Sequence, residues 1–211
     1  MLMGSKVLLC SLLCLSLTDP QFIEEELTKS AHWGFLHGAR QEDLGAGMLY
    51  YGLAYSKKAK CCVCLGSGDG FVPRVMRQAQ RDLHIENSKT ILVDGNIGRW
   101  GRPEWLSQKS FFRNHYPEIE IVLNTTKNVS MTNAREWQID YLHIDADRTV
   151  KGAMQDFIDY LPFMAKNGVI TLHDTGPLAP CSHVVTLLQE QGYHVVNFET
   201  LGTGVAIISL H

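Results

Sequence analysis

With 211 residues, 45% of them hydrophobic and 19% charged, the chain has the composition of a globular protein and not of a disordered or collagen-like polymer. A net charge of −3 without a basic run argues against nucleic acid as an electrostatic partner, because a phosphate backbone calls for a clustered Lys/Arg face. The length suits one domain that buries about 70% of its unfolded surface.

Near the N-terminus, Lys6 precedes an apolar run, Val7 to Leu17. The run is too short to span a bilayer. No small-x-small cleavage site follows it, because the next residues are Thr18, Asp19 and Pro20. A buried N-terminal helix and no membrane contact are therefore expected. A secretory leader is the alternative, and only then would the sequons at Asn124 and Asn128 matter. So apolar a helix can also pack on a partner subunit of a homo-oligomer. Six cysteines stand at 10, 14, 61, 62, 64 and 181. Cys61 and Cys64 have C-x-x-C spacing, but no second pair completes a zinc site and no helix begins between them. They read as reduced thiols inside a strand of a cytoplasmic protein.

Asp19-Pro20 is a helix start, and the helix is expected from Gln21 to about Ser30. His32-Trp33-Gly34-Phe35-Leu36-His37-Gly38 reads as a lid, a substrate wall or a packed loop. Leu44 to Tyr55 is a second helix, with Leu44, Met48, Leu49, Tyr51 and Leu53 as its apolar residues. Residues 1–58 thus form a helical segment suited to lid, substrate or oligomer contacts, and residues 59–211 form the main domain.

The main domain opens with the apolar run Cys61 to Leu65, read as a buried strand. The glycine loop Gly66-Ser67-Gly68-Asp69-Gly70 follows, and then a helix over Phe71 to Leu83. Glycine lets the backbone turn with positive φ and approach a ligand closely, and the helix N-terminus then presents free N–H groups. The third glycine comes one residue earlier than in the dinucleotide fingerprint, and no Lys-Ser/Thr pair makes it a P-loop. Thr90 to Val93 is the second strand and ends in Asp94, followed by Gly95. A carboxylate there can accept hydrogen bonds from both hydroxyls of a ribose. The Asn96 to Pro103 loop is placed near the ligand, ahead of a short helix over Ser107 to His115.

A third strand, Ile119 to Leu123, is followed by a polar stretch, Asn124 to Asn128. The fourth strand, Ile139 to Ile144, leads to Asp145, Asp147 and Arg148. Val150 to Ala165 is expected as a helix with Met154, Phe157, Ile158, Leu161 and Met164 on one stripe, ended by Asn167-Gly168. Val169 to Leu172 is the fifth strand, followed by His173 and Asp174. After a helix over Val184 to Gln191, His194 to Phe198 and Thr203 to Leu210 form a terminal antiparallel pair. This alternation predicts an α/β, Rossmann-like three-layer sandwich with a mostly parallel seven-stranded sheet.

Asp145, Asp147, His173 and Asp174 all stand at strand ends on the edge that carries the glycine loop. Asp145 and Asp174 can ligate a hard cation such as Mg²⁺, with His173 as third contact or proton acceptor. A His ligand shifts the preference toward Mn²⁺, Fe²⁺ or Zn²⁺. A bound cation would lower the pKa of a coordinated hydroxyl. The competing reading makes Asp147 and Asp174 caps of turns or helices.

From about Ala59 to Leu210 the chain resembles the class I S-adenosylmethionine-dependent methyltransferases. The run His143-Ile-Asp145-Ala-Asp147, then Leu161-Pro162, Gly168-Val-Ile and His173-Asp174-Thr175, is similar to the small O-methyltransferase-like branch with the cephalosporin-hydroxylase and macrolide sugar O-methyltransferase types. The resemblance implies S-adenosylmethionine as cofactor and a small-molecule hydroxyl as acceptor. It implies cofactor contacts from Gly66, Ser67, Gly68, Gly70, Asp94, Gly95 and Asp145, and a metal, Mg²⁺ or Mn²⁺, on Asp145, His173 and Asp174. It implies catalytic roles for His173, Asp147 and Arg148. Three positions depart from the pattern: Cys64 replaces an acid two residues before the first glycine, Arg148 replaces a His or Lys that acts as base in some members, and His173 stands where many members have a carboxylate. A non-catalytic cofactor-binding protein and a nicotinamide-dependent oxidoreductase are the alternatives.

Overall fold

The computed structural model describes residue 17 and residues 19–66, 68–95 and 110–210. The apolar run up to residue 16, Ser67 and the Asn96 to Pro103 loop therefore lie outside the described residues.

Seven strands form one sheet in the order β3-β2-β1-β4-β5-β7-β6. They are β1 (Cys61–Leu65), β2 (Lys89–Asp94), β3 (Glu120–Leu123), β4 (Ile139–Ile144), β5 (Met164–His173), β6 (His194–Phe198) and β7 (Val205–Ser209). The first five run parallel, while β7 pairs antiparallel with both β5 and β6. In register, Leu65 of β1 lies between Val93 of β2 and Ile144 of β4. Chain order reverses between β1 and β4, and open α/β sheets bind ligands outside the strand ends at such a reversal.

Among the described residues the helices are α1 (Pro20–Phe22, continued as a π-helical turn over Ile23–Thr28), α2 (Gly47–Ser56), α3 (Phe71–Asp82), α4 (Phe111–His115), α5 (Thr126–Met131), α6 (Val150–Tyr160) and α7 (Ser182–Glu190). None of them is long and apolar enough to cross a membrane. Side chains alternate across a strand, so the sheet sorts its residues onto two faces. One face, with Cys62, Cys64, Leu92, Tyr141 and Val169, packs against α2, α3 and the N-terminal elements. The other, with Val63, Leu65, Ile91, Leu142, Ile170 and Leu172, packs against Ala153 and Phe157 of α6 and Val184 and Leu188 of α7.

Three local expectations are corrected. α6 stops at Tyr160 and not at Ala165, because Pro162 has no N–H to continue the helical ladder and its ring clashes with the carbonyl four residues back, although Leu161 itself keeps helical angles. A 3-10 turn, Leu161–Phe163, then delivers the chain into β5, so Met164, Asn167 and Gly168 are strand residues. The inward stripe of α6 is Ala153, Phe157 and Tyr160, while Ile158 is 54% exposed. In α2 the buried residues are Gly47, Tyr50 and Ala54, and Met48 is 49% exposed. Apolar side chains surround this helix, so its composition does not mark the inward face. The polar stretch after β3 starts α5: Thr125 Oγ1 accepts the Asn128 N–H at 3.2 Å, an N-cap that satisfies one orphan donor.

Candidate active site

The ends of β1, β2, β4 and β5 meet at one edge. Gly66 continues the ladder past β1, its N–H donating to Val93 O at 2.8 Å, and the Asp145 N–H donates to Leu65 O at 2.8 Å. Gly66 has φ +71°, and a Cβ there would lie 2.5 Å from Asp145 O, so the tight turn requires glycine. Gly68 lies against the Trp33 indole, 3.0 Å from where a Cβ would stand. Gly70 (φ +88°) caps α3 and faces the Phe112 ring, so packing explains it. Asp94 ends β2 half-buried, and Gly95 beside it is exposed.

Cys64 is buried in β1 and its thiol donates to Gly66 O at 3.0 Å. Burial first, and then the Asp145 and Asp94 carboxylates, push its pKa well up, so it stays a neutral thiol and supplies no negative charge. Asp69, inside the glycine loop, is buried, and its Oδ2 accepts the Trp33 N–H at 2.9 Å. This carboxylate fastens the segment before the 3-10 turn Gly34–His37 onto the loop. A cleft of about 50 Å³ remains between them, lined by Trp33, Leu36, His37, Gly68, Asp145 and Arg148.

Behind the cleft lies a cluster of charged and imidazole groups. His173 Nδ1 is 3.2 Å from Asp145 Oδ1, and His37 Nε2 is 3.8 Å from Asp145 Oδ2. The two imidazoles stack with centroids 3.9 Å apart. His173 Nε2 meets Leu36 O at 3.3 Å and Thr203 Oγ1 at 3.1 Å. Burial favours neutral His173, but the Asp145 carboxylate outweighs it and raises the pKa. For His37 burial dominates, reinforced by His173, and holds the imidazole neutral. Burial also disfavours an ionised Asp145, yet the surrounding imidazoles, His173 first, keep it well below the usual carboxylate range. His143, deeper on β4, is pushed down to about 3 by burial, and its Nδ1 lies 2.8 Å from Thr171 Oγ1.

Asp174 is placed differently. Its φ of +57° is a left-handed conformation that Asp tolerates better than most residues. Oδ1 accepts from Thr203 Oγ1 at 2.5 Å, and Oδ2 pairs with Arg148 Nε. Arg148 also approaches Asp145 Oδ1 at 3.8 Å. Both Asp174 oxygens are thus committed, and the expected trio Asp145, His173 and Asp174 does not fit as an open ligand set. Asp147 is exposed, and its Oδ1 accepts the Thr149 N–H at 2.9 Å, a turn-forming role outside the cluster. A guanidinium is a poor base, and that of Arg148 is the partner of Asp174. Sequence reasoning singled out neither Asp69 nor Thr203. The His37 stretch reads equally as a lid, a substrate wall or a packed loop, and no spacing rule joins residue 37 to residues 145 and 173.

A family model described as "Methyltransferase domain" matches residues 63–175, over half of the chain, and the chain belongs to that family. A search of curated proteins finds no significant match. Among solved structures, the O-methyltransferase TomG from Streptomyces achromogenes, in complex with SAM, is similar, with 16% identity, TM-score 0.63, and coverage of 92% of this chain and 89% of that one. An O-methyltransferase from Bacillus cereus in complex with SAH has 12% identity and TM-score 0.62, covering 94% of this chain and 100% of that one. SAH-bound PaMTH1 from Podospora anserina has 12% identity and TM-score 0.63, covering 100% and 98%.

Proposed function

We propose that the protein transfers the methyl group of S-adenosylmethionine to a hydroxyl of a small molecule in the cytoplasm. The carrying observation is that the Gly66 turn, Asp94 and Asp145 stand on the neighbouring ends of β1, β2 and β4 at the strand-order reversal, within a methyltransferase-family chain. Those residues fit the cofactor. Gly66 and Gly68 bring backbone close to it without a Cβ, and Asp94 accepts from the ribose hydroxyls. Because Cys64 carries no charge, the donor's amine is held by backbone or other side chains. Bound SAM and SAH in the O-methyltransferases TomG and from Bacillus cereus support this reading, and four free cysteines among the described residues are in keeping with a reducing compartment.

The sulfonium methyl is reactive by itself, so the protein's task is to align the acceptor oxygen and assist loss of its proton. Asp145 is the carboxylate that faces the cleft, and held anionic it accepts a hydrogen bond from the acceptor hydroxyl. His173 is 1% exposed and reaches a substrate proton only through Asp145, which makes it a positioning residue. The cleft's 50 Å³ falls far below the ~300–1,000 Å³ of ligand pockets, so the donor enters when the Trp33 ring lifts from Gly68 of the glycine loop. A methyl-transfer assay with labelled S-adenosylmethionine over phenols, catechols and sugar alcohols tests the reading. Label is expected in an acceptor, and Asp145→Asn lowers the rate about 100-fold or more. Cofactor binding without any labelled acceptor would instead identify a non-catalytic binder.

A further inference from the structure

We propose that His37, Asp145 and His173 form a site for a single transition-metal ion of the Zn²⁺ class. One atom from each, all within 4.8 Å of one another, could serve as ligand. The inward atoms are His37 Nε2 and His173 Nδ1, which face the two oxygens of Asp145 at 3.8 and 3.2 Å. The outward nitrogen of each ring is anchored: His37 Nδ1 lies 3.0 Å from Tyr50 Oη, and His173 Nε2 lies 3.3 Å from Leu36 O. This is how metal-ligating imidazoles are commonly held, with the remote nitrogen bound to an outer partner that fixes the tautomer. His173 Nδ1 is buried and makes no aligned hydrogen bond.

The rest of the cluster supports the assignment. Arg148 pairs with one oxygen of Asp174 and Thr203 donates to the other, which leaves Asp145 as the carboxylate ligand. Two imidazoles and one carboxylate favour a borderline ion over Mg²⁺, which prefers oxygen ligands and its own waters. Such a site keeps its fourth position for water or substrate. Here His37 and Asp145 also line the cleft, so that position opens toward it. A loaded tetrahedral site brings ligand atoms to about 3.3 Å of one another, so loading turns the His37 ring out of its stack on His173, until both in-plane lone pairs converge, and draws its 3-10 turn onto the ends of β4 and β5. Binding displaces any proton on the ligating nitrogens. The site therefore joins the N-terminal segment to the sheet, and it supplies a Lewis acid beside the cleft. It rests on the ligand atoms alone and does not depend on the methyl-transfer reading.

The test uses the full chain without an affinity tag, stripped of metal and titrated calorimetrically with Zn²⁺, with Co²⁺ absorption as a second readout. One equivalent is expected to bind, with d–d bands and no thiolate charge transfer. About 100-fold excess Mg²⁺ leaves it in place. His37→Gln and His173→Gln each weaken binding at least ~100-fold at unchanged circular dichroism. Asp174→Asn still binds one equivalent. Three results would overturn the site: no stoichiometric Zn²⁺, a thiolate-type Co²⁺ spectrum, or loss of binding in Asp174→Asn with retention in His37→Gln. S-adenosylhomocysteine binding, measured on the same samples without metal, separates this outcome from a failure of the cofactor reading.

Discussion

The two faces of the sheet are built to different ends. Under α6 and α7, β4 presents Leu142 and Ile144 and β5 presents Ile170 and Leu172, all apolar and buried. One residue along each strand, the opposite face carries Tyr141, His143 and then Asp145 on β4, and Thr171 and His173 on β5. The period of two thus separates a plain core from a polar row that leads to the cleft. The polar row stays buried because the N-terminal segment covers it, with Leu36 O on His173 and Tyr50 packed against His143. One face supplies stability, and the other bears the groups that can do chemistry.

Mutations that separate these roles should differ in kind. The largest effect is expected from the apolar face. Ile170→Ala removes a fully buried side chain and should cost about 3 kcal/mol, seen as a lowered denaturation midpoint, with S-adenosylhomocysteine affinity unchanged. On the polar face, His143→Leu removes an imidazole whose Nε2 is buried without a partner but whose Nδ1 bonds Thr171 Oγ1, and should cost about 1 kcal/mol, well below the loss in Ile170→Ala. Equal losses in both variants would break the contrast.

Asp156 sharpens it, because it is the acid buried on α6, against the apolar side. Burial first, and then Asp147 and Asp159, raise its pKa from 3.8 to about 6. The folded state therefore prefers the protonated acid, and stability falls as pH rises from the unfolded value through about 6. Asp156→Asn should stabilise by about 2 kcal/mol at pH 8 and by almost nothing at pH 4, read from melting curves at both values. A constant difference across pH would contradict the assignment.

Smaller effects are expected at the cover. Asp69→Ala removes the acceptor of the Trp33 N–H and should speed hydrogen exchange at that amide about 5- to 10-fold, the equivalent of roughly 1 kcal/mol. Glu118 is smallest. Although partial burial opposes it, its bonds with Arg81 and Arg77 lower its pKa from 4.5 to about 2. Its contribution is present above pH 4.5 and lost as pH falls toward 2. Because the carboxylate is 31% exposed, Glu118→Gln should cost no more than about 1 kcal/mol at pH 7 and only a small part of that at pH 2.

Most of the sheet was legible because its signals are local. Cys61–Leu65, Ile139–Ile144 and His194–Phe198 are short apolar or alternating runs bounded by polar or turn residues, and the structure places them at those limits. The α6 reading is too long because the apolar spacing continues past Pro162, where a missing N–H and a ring clash outrank periodicity. The site was legible in part. Gly66, Asp94, Asp145, His173 and Asp174 were readable as strand-end residues, since a parallel sheet sends all such ends to one edge. What Asp174 binds was not readable, because its partners Arg148 and Thr203 come from two other loops. His37 was hidden for the same reason: it reaches Asp145 across 108 positions of sequence, through a segment whose own pattern is compatible with an ordinary packed loop.

The most direct test is calorimetric titration of S-adenosylhomocysteine and, separately, NAD into the purified full chain and its Asp94→Ala variant. The account predicts one S-adenosylhomocysteine per chain, at least ~10-fold weaker binding to the variant, and no NAD bound. Binding of NAD in its place, binding of neither, or an unchanged affinity in Asp94→Ala would contradict it.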